Sequence, residues 1–419
     1  MRLMQNSGIE WIGEIPKEWT INSISQLFSQ VKNKNTDLQE TNLLSLSYGK
    51  IKRKNIETTD GLLPESFDGY NIVESNDIVL RLTDLQNDHK SLRVGLVTER
   101  GIITSAYLTI RNHSESIAKY LYFYLHAFDI SKGFYGMGAG VRQGLNWDGI
   151  KWLKILSPSI PEQQAIADFL VTQCAHIDSV IEKTRAAIEE YKKLKQSVIT
   201  QAVTKGIRPN REMKGSGIEW IGEIPEEWDV QKIKFSVKWK SEKGHPNAEV
   251  LSLYRDYGVI PKSSRDDNHN VTSLDTSSYK FVSKGDFVVN KMKAWQGSMA
   301  LSDYEGIISP AYHVCEIINK NINKKYFHYL LRNQLYLPEY LRLSTGMRIG
   351  QWDLSFDDFA NLLFVIPSYN EQQEIVDYID KKIPEIDSLI SKKEQLISEL
   401  ESYKKSLIYE YVTGKKEVV

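Results

Sequence analysis

The stretch SGIEWIGEIPKEW at residues 7–19 returns as SGIEWIGEIPEEW at residues 216–228, with Lys17 replaced by Glu226. The offset is 209 residues (216 minus 7). At that same offset SIPEQQAIADFL, which begins at Ser159, meets SYNEQQEIVDYI, which begins at Ser368. Two copies at so long a period exclude a solenoid, whose repeats run about 20–50 residues. The sequence therefore predicts two similar units in tandem, with matching ends and divergent middles.

Composition places the chain among ordinary water-soluble proteins. Its 419 residues suit two or three domains, with 41% hydrophobic and 26% charged residues. A net charge of -1 excludes a globally polybasic nucleic-acid binder but allows local basic surfaces. The two cysteines, Cys174 and Cys315, offer neither a disulfide framework nor a Cys-x-x-Cys metal site. Without an apolar run long enough for a membrane span or a signal peptide, we expect a cytoplasmic protein with no membrane partner.

Apolar residues at steps of three and four predict one long helix in each unit, over residues 177–202 and 386–411. A shorter helix is predicted before each, opened by Pro161 or Asn370, and Gly206 and Gly414 are predicted terminators. A narrow apolar seam requires a partner, and the other long helix, packed antiparallel, is the simplest one. The seam residues are Ile177, Ile181, Thr184, Ile188, Tyr191, Leu194, Val198 and Ala202, with Ile386, Ile390, Lys393, Ile397, Leu400, Tyr403, Leu407 and Tyr411.

The divergent middles contain loops rich in basic, aromatic and amide side chains, the groups that bind phosphates and base edges. Solvated surface loops are the alternative interpretation for any one of them. The candidates for DNA contact are Lys50, Lys52, Arg53, Lys54, Arg81, Lys90, Arg93, Arg142 and Gln143 in the first unit, and Arg255, Tyr257, Lys291, Lys293, Trp295, Gln296, Arg348 and Gln351 in the second.

The doubled EQQ triplets lie at the predicted start of the shorter helices. They are either good helix-starting residues or contacts to a partner subunit. The partner-binding candidates are Glu162, Gln163, Gln164, Glu371, Gln372 and Gln373.

Two stretches imitate an adenine methyltransferase. FYGMG at residues 134–138 fits the F-x-G-x-G loop that binds S-adenosylmethionine, and SPAY at residues 309–312 is similar to the loop that holds a flipped adenine. FYGMG follows a predicted helix instead of a strand, and SPAY lacks its second proline. The sequence has no phosphate-binding P-loop, H-E-x-x-H or G-x-S-x-G motif and no metal-ligand spacing of histidines. We therefore expect a chain without catalytic or metal-binding residues.

Taken together, these features resemble the specificity subunit of type I restriction-modification systems over nearly the whole chain. The residues that carry the resemblance are the paired EQQ and long helices, GLNWDGIKWLKILSPSIPEQQ at 144–164, DFVVNKMKAWQGSMALSDYEGIISPAY at 286–312, and the repeated GIEWIGEIP.

The resemblance implies an α+β fold with two globular target-recognition domains, related by a pseudo-two-fold axis and separated by a pair of long antiparallel coiled-coil helices. The implied boundaries are 1–156 for the first target-recognition domain, 157–206 for the first helical spacer, 207–215 for a linker, 216–365 for the second target-recognition domain and 366–419 for the second helical spacer.

The implied function is non-catalytic: each domain reads one half of a bipartite double-stranded DNA site. The implied partners are two modification subunits, which bind S-adenosylmethionine and methylate adenine, and, through them, ATP-dependent restriction subunits that use Mg²⁺. Three alternatives stay open: a specificity subunit of another two-part restriction-modification system, an N6-adenine DNA methyltransferase in its own right, and a scaffold that binds no DNA.

Overall fold

The structure is a computed structural model, which contains two compact units. The first comprises residues 1–185 and 395–419, and the second comprises residues 186–394. The structure describes residues 2–56, 64, 66–88, 91–137, 144–255, 257–265, 275–348 and 351–418. Within these ranges, the side chains of residues 347, 348 and 351 are not described.

The first unit mixes short strands with three short or medium helices and parts of two long ones. Its strands are β1 Met4–Asn6, β2 Glu14–Pro16, β3 Thr20–Ser23, β4 Phe28–Gln30, β5 Leu44–Ser47, β6 Lys50–Arg53, β7 Asn71–Val73, β8 Ile78–Leu80, β9 Val94–Leu96, β10 Gly101–Ile103, β11 Leu108–Asn112 and β12 Lys154–Ser157. Its helices are α1 Ile24–Leu27, α2 Ala118–Ile130, α3 Trp147–Ile150 and the first part of α4 Ile160–Lys205.

The second unit repeats this series. Its strands are β13 Met213–Gly215, β14 Glu223–Pro225, β15 Asp229–Lys232, β16 Val237–Lys240, β17 Leu251–Tyr254, β18 Gly258–Pro261, β19 Lys280–Val282, β20 Phe287–Asn290, β21 Met299–Leu301, β22 Gly306–Ile308, β23 Tyr312–Ile317, β24 Thr345–Arg348, β25 Gln351–Asp353 and β26 Leu363–Ile366. Its helices are α5 Lys324–Leu331, α6 Leu337–Leu343, α7 Phe356–Asn361 and the first part of α8 Tyr369–Val412.

An antiparallel four-stranded sheet forms the centre of each unit. The strand order is β4-β11-β8-β9 in the first unit and β16-β23-β20-β21 in the second. The central strands β8 and β20 are apolar and buried, as strands covered on both faces must be. Helices α2 and α5 bury most of their aromatic residues. The predicted α+β class and the internal repeat are confirmed.

The repeated opening motif contributes apolar residues to the hydrophobic core of each unit. In the first unit Ile12, Ile15 and Trp19 join a core that includes Leu407 and Val412 near the end of α8. In the second unit Ile221, Ile224 and Trp228 join a core that includes Ala202 and Val203 near the end of α4. The same thirteen residues therefore occur twice because each unit closes the same core against a helix end.

In each unit an arginine and a tryptophan bind the same glutamate of a long helix. Arg2 donates to Glu162 Oε1 at 2.6 Å, and Trp19 Nε1 donates to Glu162 Oε2 at 3.1 Å. At the offset of 209 residues, Arg211 pairs with Glu371, and Trp228 Nε1 donates to Glu371 Oε2 at 3.1 Å. We call each set an Arg-Glu-Trp clamp. The clamp joins the opening motif to the first turn of a long helix.

The first unit contains antiparallel contacts between its portions of α4 and α8. The rings of Phe169 and Tyr411 lie 4.5 Å apart, and Lys404 Nζ donates to Asp178 Oδ1 at 2.6 Å. Burial alone would raise the pKa of Asp178, but the hydrogen bonds from Lys404 and Lys50 hold it below its ordinary value.

The second unit contains the corresponding contacts. Lys393 Nζ lies 5.7 Å from the ring of Tyr191, and Lys195 Nζ donates to Asp387 Oδ1 at 2.7 Å. In both units the residue numbers rise along α4 as they fall along α8. The predicted antiparallel pairing is therefore confirmed within each unit.

Two details of the helix prediction are wrong. The shorter and longer predicted helices are continuous, because buried residues such as Leu170 and Cys174 extend the apolar seam without a breaker between them. Helix α8 likewise runs through Pro384, which removes one backbone donor without ending the helix. The predicted seam residues Leu194 and Tyr403 are exposed, at 47% and 54% of their full accessibility, so the apolar seam is interrupted at both positions.

The predicted helix terminators agree with the structure. Gly206 and Gly414 follow the two long helices with φ of +76° and +71°, a left-handed conformation that favours glycine. Cys174 and Cys315 are buried and unpaired.

The predicted linker at residues 207–215 is partly wrong, because residues 213–215 form β13, which pairs with β14. None of the described helices is long and apolar enough to cross a membrane.

Candidate nucleic-acid interfaces

In the first unit, two loops and a hairpin turn meet beyond the end of strand β8. The β5–β6 turn lies on the β8–β9 loop, because a Cβ atom on Gly49 would stand 3.0 Å from Cβ of Leu92. The segment that enters α3 lies beside the same loop, with Leu145 N donating to Leu82 O at 2.8 Å. The structure thus brings together three of the regions predicted to contact DNA.

The buried side chain of Arg93 stabilises the β8–β9 loop through hydrogen bonds to its backbone. Its guanidinium is fully buried and donates to the carbonyl oxygens of Arg81 at 3.0 Å, Thr83 at 2.8 Å, Asp84 at 3.3 Å and Asp88 at 2.6 Å. A buried cation must be satisfied by such acceptors. The prediction that Arg93 contacts DNA is therefore corrected, since its donors already serve the loop backbone.

A buried carboxylate completes this loop anchor. Asp129 Oδ2 accepts the backbone N–H of Arg93 at 2.6 Å. Burial raises the pKa of Asp129 to about 6, although the neighbouring Arg93 acts in the opposite direction. Tyr135 packs over the Arg93 guanidinium, 5.0 Å from ring centroid to Cζ, and donates to Asp88 O at 3.2 Å. Loop conformation therefore depends on two buried side chains, Arg93 and Asp129, and on the partly buried Tyr135.

The remaining first-unit candidates differ in whether their charge is already paired with an acidic side chain. Lys50 pairs with Asp178 at 3.1 Å, Arg53 pairs with Glu99, and Arg81 lies 3.5 Å from Asp88. Lys52 and Lys54 are exposed, and neither forms an ion pair with another described residue. Lys90, Arg142 and Gln143 lie outside the described residues.

The second unit assembles the same three regions. Leu354 N donates to Lys291 O at 2.9 Å, the counterpart of the contact between Leu145 and Leu82 at an offset of 209. The β17–β18 hairpin approaches β21 through a bridge between Val259 and Ser302. Arg332 donates to the carbonyl oxygen of Arg255 in the hairpin turn. One scaffold therefore presents the candidate loops in both units.

The side chains on the second-unit loops are different. Lys291 pairs with Asp353 at 2.8 Å, and Trp295 packs edge-on against Trp352 with ring centroids 5.1 Å apart. Lys293 is exposed, and Gln296 is partly exposed.

The hairpin turn of the second unit supplies Arg255 and Tyr257, both of which are exposed. The guanidinium of Arg265 lies 4.3 Å from the centroid of the Tyr257 ring. Arg348 and Gln351 pair across β24 and β25, but their side chains lie outside the described part.

Two exposed aromatic residues were missed among the sequence candidates. Tyr48 is exposed at the β5–β6 turn, next to the predicted Lys50. Trp239 is exposed on β16, stacks on Phe356 at 5.9 Å and lies 5.5 Å from Lys280 Nζ. Burial lowers the pKa of Lys280. The turn context marks Tyr48 in the sequence, whereas only the folded sheet brings Trp239 to Phe356.

Four of the six EQQ residues form hydrogen bonds or ion pairs with distant parts of their own unit. Glu162 and Glu371 belong to the Arg-Glu-Trp clamps. Gln163 Oε1 accepts the backbone N–H of Ile117 at 2.9 Å, and Gln372 Oε1 accepts that of Asn323 at 2.7 Å. Gln163, Glu371 and Gln372 are buried, so the prediction that these three contact a partner is corrected.

The third glutamine of each triplet is exposed. Gln164 donates to Asp168 at 2.8 Å, and Gln373 donates to Asp377 at 2.8 Å.

The methyltransferase-like stretches serve the core. Phe134 is buried against Phe128, with ring centroids 4.8 Å apart. In SPAY the carbonyl oxygens of Pro310 and Tyr312 accept hydrogen bonds from Lys280 at 3.3 and 2.6 Å. Among the described residues, no group of three or more His, Cys, Asp or Glu side chains could hold a metal ion.

Comparison with known proteins identifies a domain in the second half. Residues 225–401 match the family model described as the type I restriction modification DNA specificity domain. The type I restriction enzyme MjaVIII specificity subunit of Methanocaldococcus jannaschii is 25% identical over 233 residues, which cover 55% of this chain and 51% of the relative. A second protein of the same organism, MjaX, is provisionally described as a type I restriction enzyme specificity subunit. It is 24% identical over 233 residues, which cover 53% of this chain and 53% of the relative. The chain spans about half the length of these curated relatives.

Solved structures share the fold. A chain from a structural study of complex assembly and conformational transition in the type I R-M system has a TM-score of 0.69 at 12% identity, covering 96% of this chain and 99% of that chain. The crystal structure of the HsdS subunit from Thermoanaerobacter tengcongensis has a TM-score of 0.55 at 14% identity, covering 96% and 98%. The resemblance predicted from the sequence is confirmed. The segment at residues 225–401 is thus similar to the type I restriction modification DNA specificity domain, and the chain is similar to specificity subunits of type I restriction enzymes.

Proposed function

We propose that the chain is the specificity subunit of a type I restriction-modification complex. Each unit reads one half of a bipartite double-stranded DNA site through the loops that meet beyond β8 or β20. The observation that carries the proposal is the pairing of one scaffold with two different sets of loop side chains. The equivalent backbone contacts Leu145 to Leu82 and Leu354 to Lys291 hold loops that otherwise differ in length and sequence. Common geometry with divergent side chains suits two modules that read different bases.

The exposed cations supply affinity, and loop positioning supplies specificity. Lys52, Lys54 and Lys293 are free to neutralise phosphates, which makes binding strong at low salt and weaker as salt rises. Bidentate contacts to base edges discriminate at about 1–3 kcal/mol each, provided that the loop backbone is held in place. Arg93 in the first unit and the Trp295–Trp352 contact in the second supply that rigidity. The chain performs no reaction itself in this scheme.

The similarity to type I specificity subunits also supports a set of partners for the proposed complex. Two modification subunits, one for each unit, would bind S-adenosylmethionine and methylate adenine, and restriction subunits would use ATP and Mg²⁺. We place this complex in the cytoplasm, together with the DNA that it reads. The chain itself would supply DNA recognition and the docking surfaces.

Selection from a randomised duplex library tests the proposal. The chain, co-purified with its modification subunit, should enrich a motif of two short sequences separated by a fixed unread spacer. Replacing residues 291–298 by a loop of equal length and different sequence should change one half of the motif and leave the other intact. Enrichment of no motif, or a change in both halves, would contradict the proposed division between the units.

A further inference from the structure

Lys291 and Asp353 form an ion pair between two of the candidate DNA-contact regions of the second unit. Lys291 directly follows β20, and Asp353 is the last residue of β25. Lys291 Nζ donates to Asp353 Oδ2 at 2.8 Å, and the two side chains keep 30% and 48% of their full exposure. The pair is therefore accessible to a ligand at the end of the sheet where the loops meet.

Hydrogen bonds fix the backbone on both sides of the pair. Leu354 N donates to Lys291 O at 2.9 Å, and Nε2 of the buried His313 donates to Leu354 O at 2.9 Å. Beside the pair, the rings of Trp295 and Trp352 pack edge-on with centroids 5.1 Å apart. A side chain discriminates between bases only when its backbone is held in place, and this pair meets that requirement.

The protein's own groups leave the inner side of the pair unsatisfied. Asp353 Oδ1 and His313 Nδ1 are both buried, and neither has a hydrogen-bond partner among the residues that the structure describes. Buried polar atoms without partners cost free energy, and such costs are typical of functional sites. A role in holding the loops together therefore does not by itself explain why an aspartate occupies this position.

The charges of the pair decide what it can bind on DNA. A carboxylate is repelled by phosphates and accepts hydrogen bonds, and the donors in the major groove are the amino groups N4 of cytosine and N6 of adenine. The ammonium of Lys291 only donates, so it requires a base acceptor next to that amino group. Lys293 in the same loop is exposed, forms no ion pair with a described residue and suits a phosphate instead.

A guanine–cytosine pair presents the required groups side by side. Guanine offers the acceptors N7 and O6 in the major groove, and cytosine N4 is the donor next to O6. Lys291 can donate to both guanine acceptors while Asp353 accepts from cytosine N4. In an adenine–thymine pair the amino group lies between two single acceptors, so the ammonium reaches one acceptor instead of two. The lysine–aspartate pair therefore favours guanine–cytosine.

The first unit has no counterpart of this pair. At the offset of 209 residues, Leu82 stands in place of Lys291 and Gly144 in place of Asp353. The backbone hydrogen bond beside the pair is nevertheless present in both units. One scaffold position thus carries a donor and an acceptor in one unit and no polar side chain in the other, as expected of a residue pair that sets specificity.

We propose that Lys291 and Asp353 together read one guanine–cytosine base pair in the half-site of the second unit, with Asp353 as a specificity-determining residue that accepts from cytosine N4. This inference rests on the proposed function, because it requires DNA against the loops of the second unit. It specifies one base pair of that half-site and the strand on which the guanine lies.

Exchange of the two charges tests the inference. The double variant Lys291→Asp with Asp353→Lys keeps an ion pair but exchanges the positions of donor and acceptor. Library selection is carried out on the chain co-purified with its modification subunit. The wild type should select guanine–cytosine at one position of the second unit's half-site, and the double variant should select cytosine–guanine at that position. An ion pair that only joins the loops would leave the selected base pair unchanged.

Asp353→Asn gives a second test that keeps the size of the side chain. An amide both donates and accepts, so it also binds adenine, and the preference at that one position should fall at least about fivefold. Lys293→Ala is the control in the same loop, and it should weaken binding to all sequences while leaving the motif unchanged. Because the exchanged side chains are partly exposed, thermal melting of each variant should match the wild type.

The outcomes separate the two proposals. Unchanged selection in both Asp353 variants, equal relaxation at all positions of the half-site, or a wild-type half-site without guanine–cytosine would overturn the assigned base pair. Each of these results would leave the proposed function standing. A wild-type chain that selects no two-part motif would overturn the proposed function and this inference with it.

Discussion

The Arg-Glu-Trp clamps allow one substitution to be compared at two equivalent positions with different burial. Replacing the glutamate by glutamine keeps the size of the side chain and an oxygen that accepts from the tryptophan, but removes the negative charge beside the arginine. In the second unit Arg211 and Glu371 retain 10% and 5% of their side-chain exposure. In the first unit Arg2 and Glu162 retain 21% and 20%. The same change should therefore cost more in the second unit.

The expected magnitude follows from burial. Removing one partner of a buried ion pair costs about 3–5 kcal/mol, because the other charge is left uncompensated. Glu371→Gln should lie near the lower limit, about 3 kcal/mol, since Arg211 keeps Glu227 at 3.2 Å. Glu162→Gln should cost about 1–2 kcal/mol, because water reaches that pair more easily. The ranking of the two variants is as important as either value.

Hydrogen exchange read by mass spectrometry resolves the two units separately. Peptides from β13 and β14 should show a lower opening free energy in Glu371→Gln, and peptides from β1 and β2 a smaller decrease in Glu162→Gln. Glu374→Gln is the matched control, since its pair with Arg208 is exposed and should contribute under about 1 kcal/mol. If Glu371→Gln were no more destabilising than the control, the clamp would not hold the opening motif.

Three further predictions concern the first-unit loop anchor and the DNA loops. Arg93→Lys cannot replace the four carbonyl contacts, so library selection should show relaxed bases in the first unit's half-site alone; unchanged selectivity would contradict this. The raised pKa of Asp129, about 6 against an ordinary value near 3.8, favours the folded state at low pH. This contribution is lost as pH rises through 6, so urea titrations of wild type and Asp129→Asn should diverge by up to ~3 kcal/mol between pH 4 and 7, and parallel curves would refute it. Lys293→Ala should lower the salt dependence of DNA binding by about one phosphate contact, and an unchanged slope of log Kd against log salt would exclude that contact.

Features that depend mainly on neighbouring residues in the sequence were predictable. The repeated motif, the buried strands β8 and β20 and the helix-ending glycines Gly206 and Gly414 follow from composition, spacing and backbone preference. Their physical causes act over a few residues, so a linear reading can find them. The antiparallel helix contacts were also predictable, because a duplicated apolar seam requires a partner.

Residues whose role depends on distant parts of the chain were not predictable. Arg93 looks like a DNA-binding arginine in the sequence, and only the folded loop shows four carbonyl oxygens around it. Gln163 and Gln372 resemble surface helix residues until the turn before α2 or α5 is seen to donate to them. Leu194 and Tyr403 fit the helical spacing, yet the buried stripe passes beside them. For Arg93, Gln163 and Gln372 the partner atoms come from another part of the chain, so the local sequence does not reveal them.

The proposed function requires that two units read the two halves of one DNA site on behalf of a methylating partner. Genome-wide mapping of N6-methyladenine, in cells that carry the modification subunit with and without this chain, tests it most directly. We expect methylation at a two-part motif that disappears when the chain is absent and changes in one half when residues 291–298 are exchanged. Methylation that persists without the chain, or a motif that is contiguous and unaffected by the exchange, would contradict it.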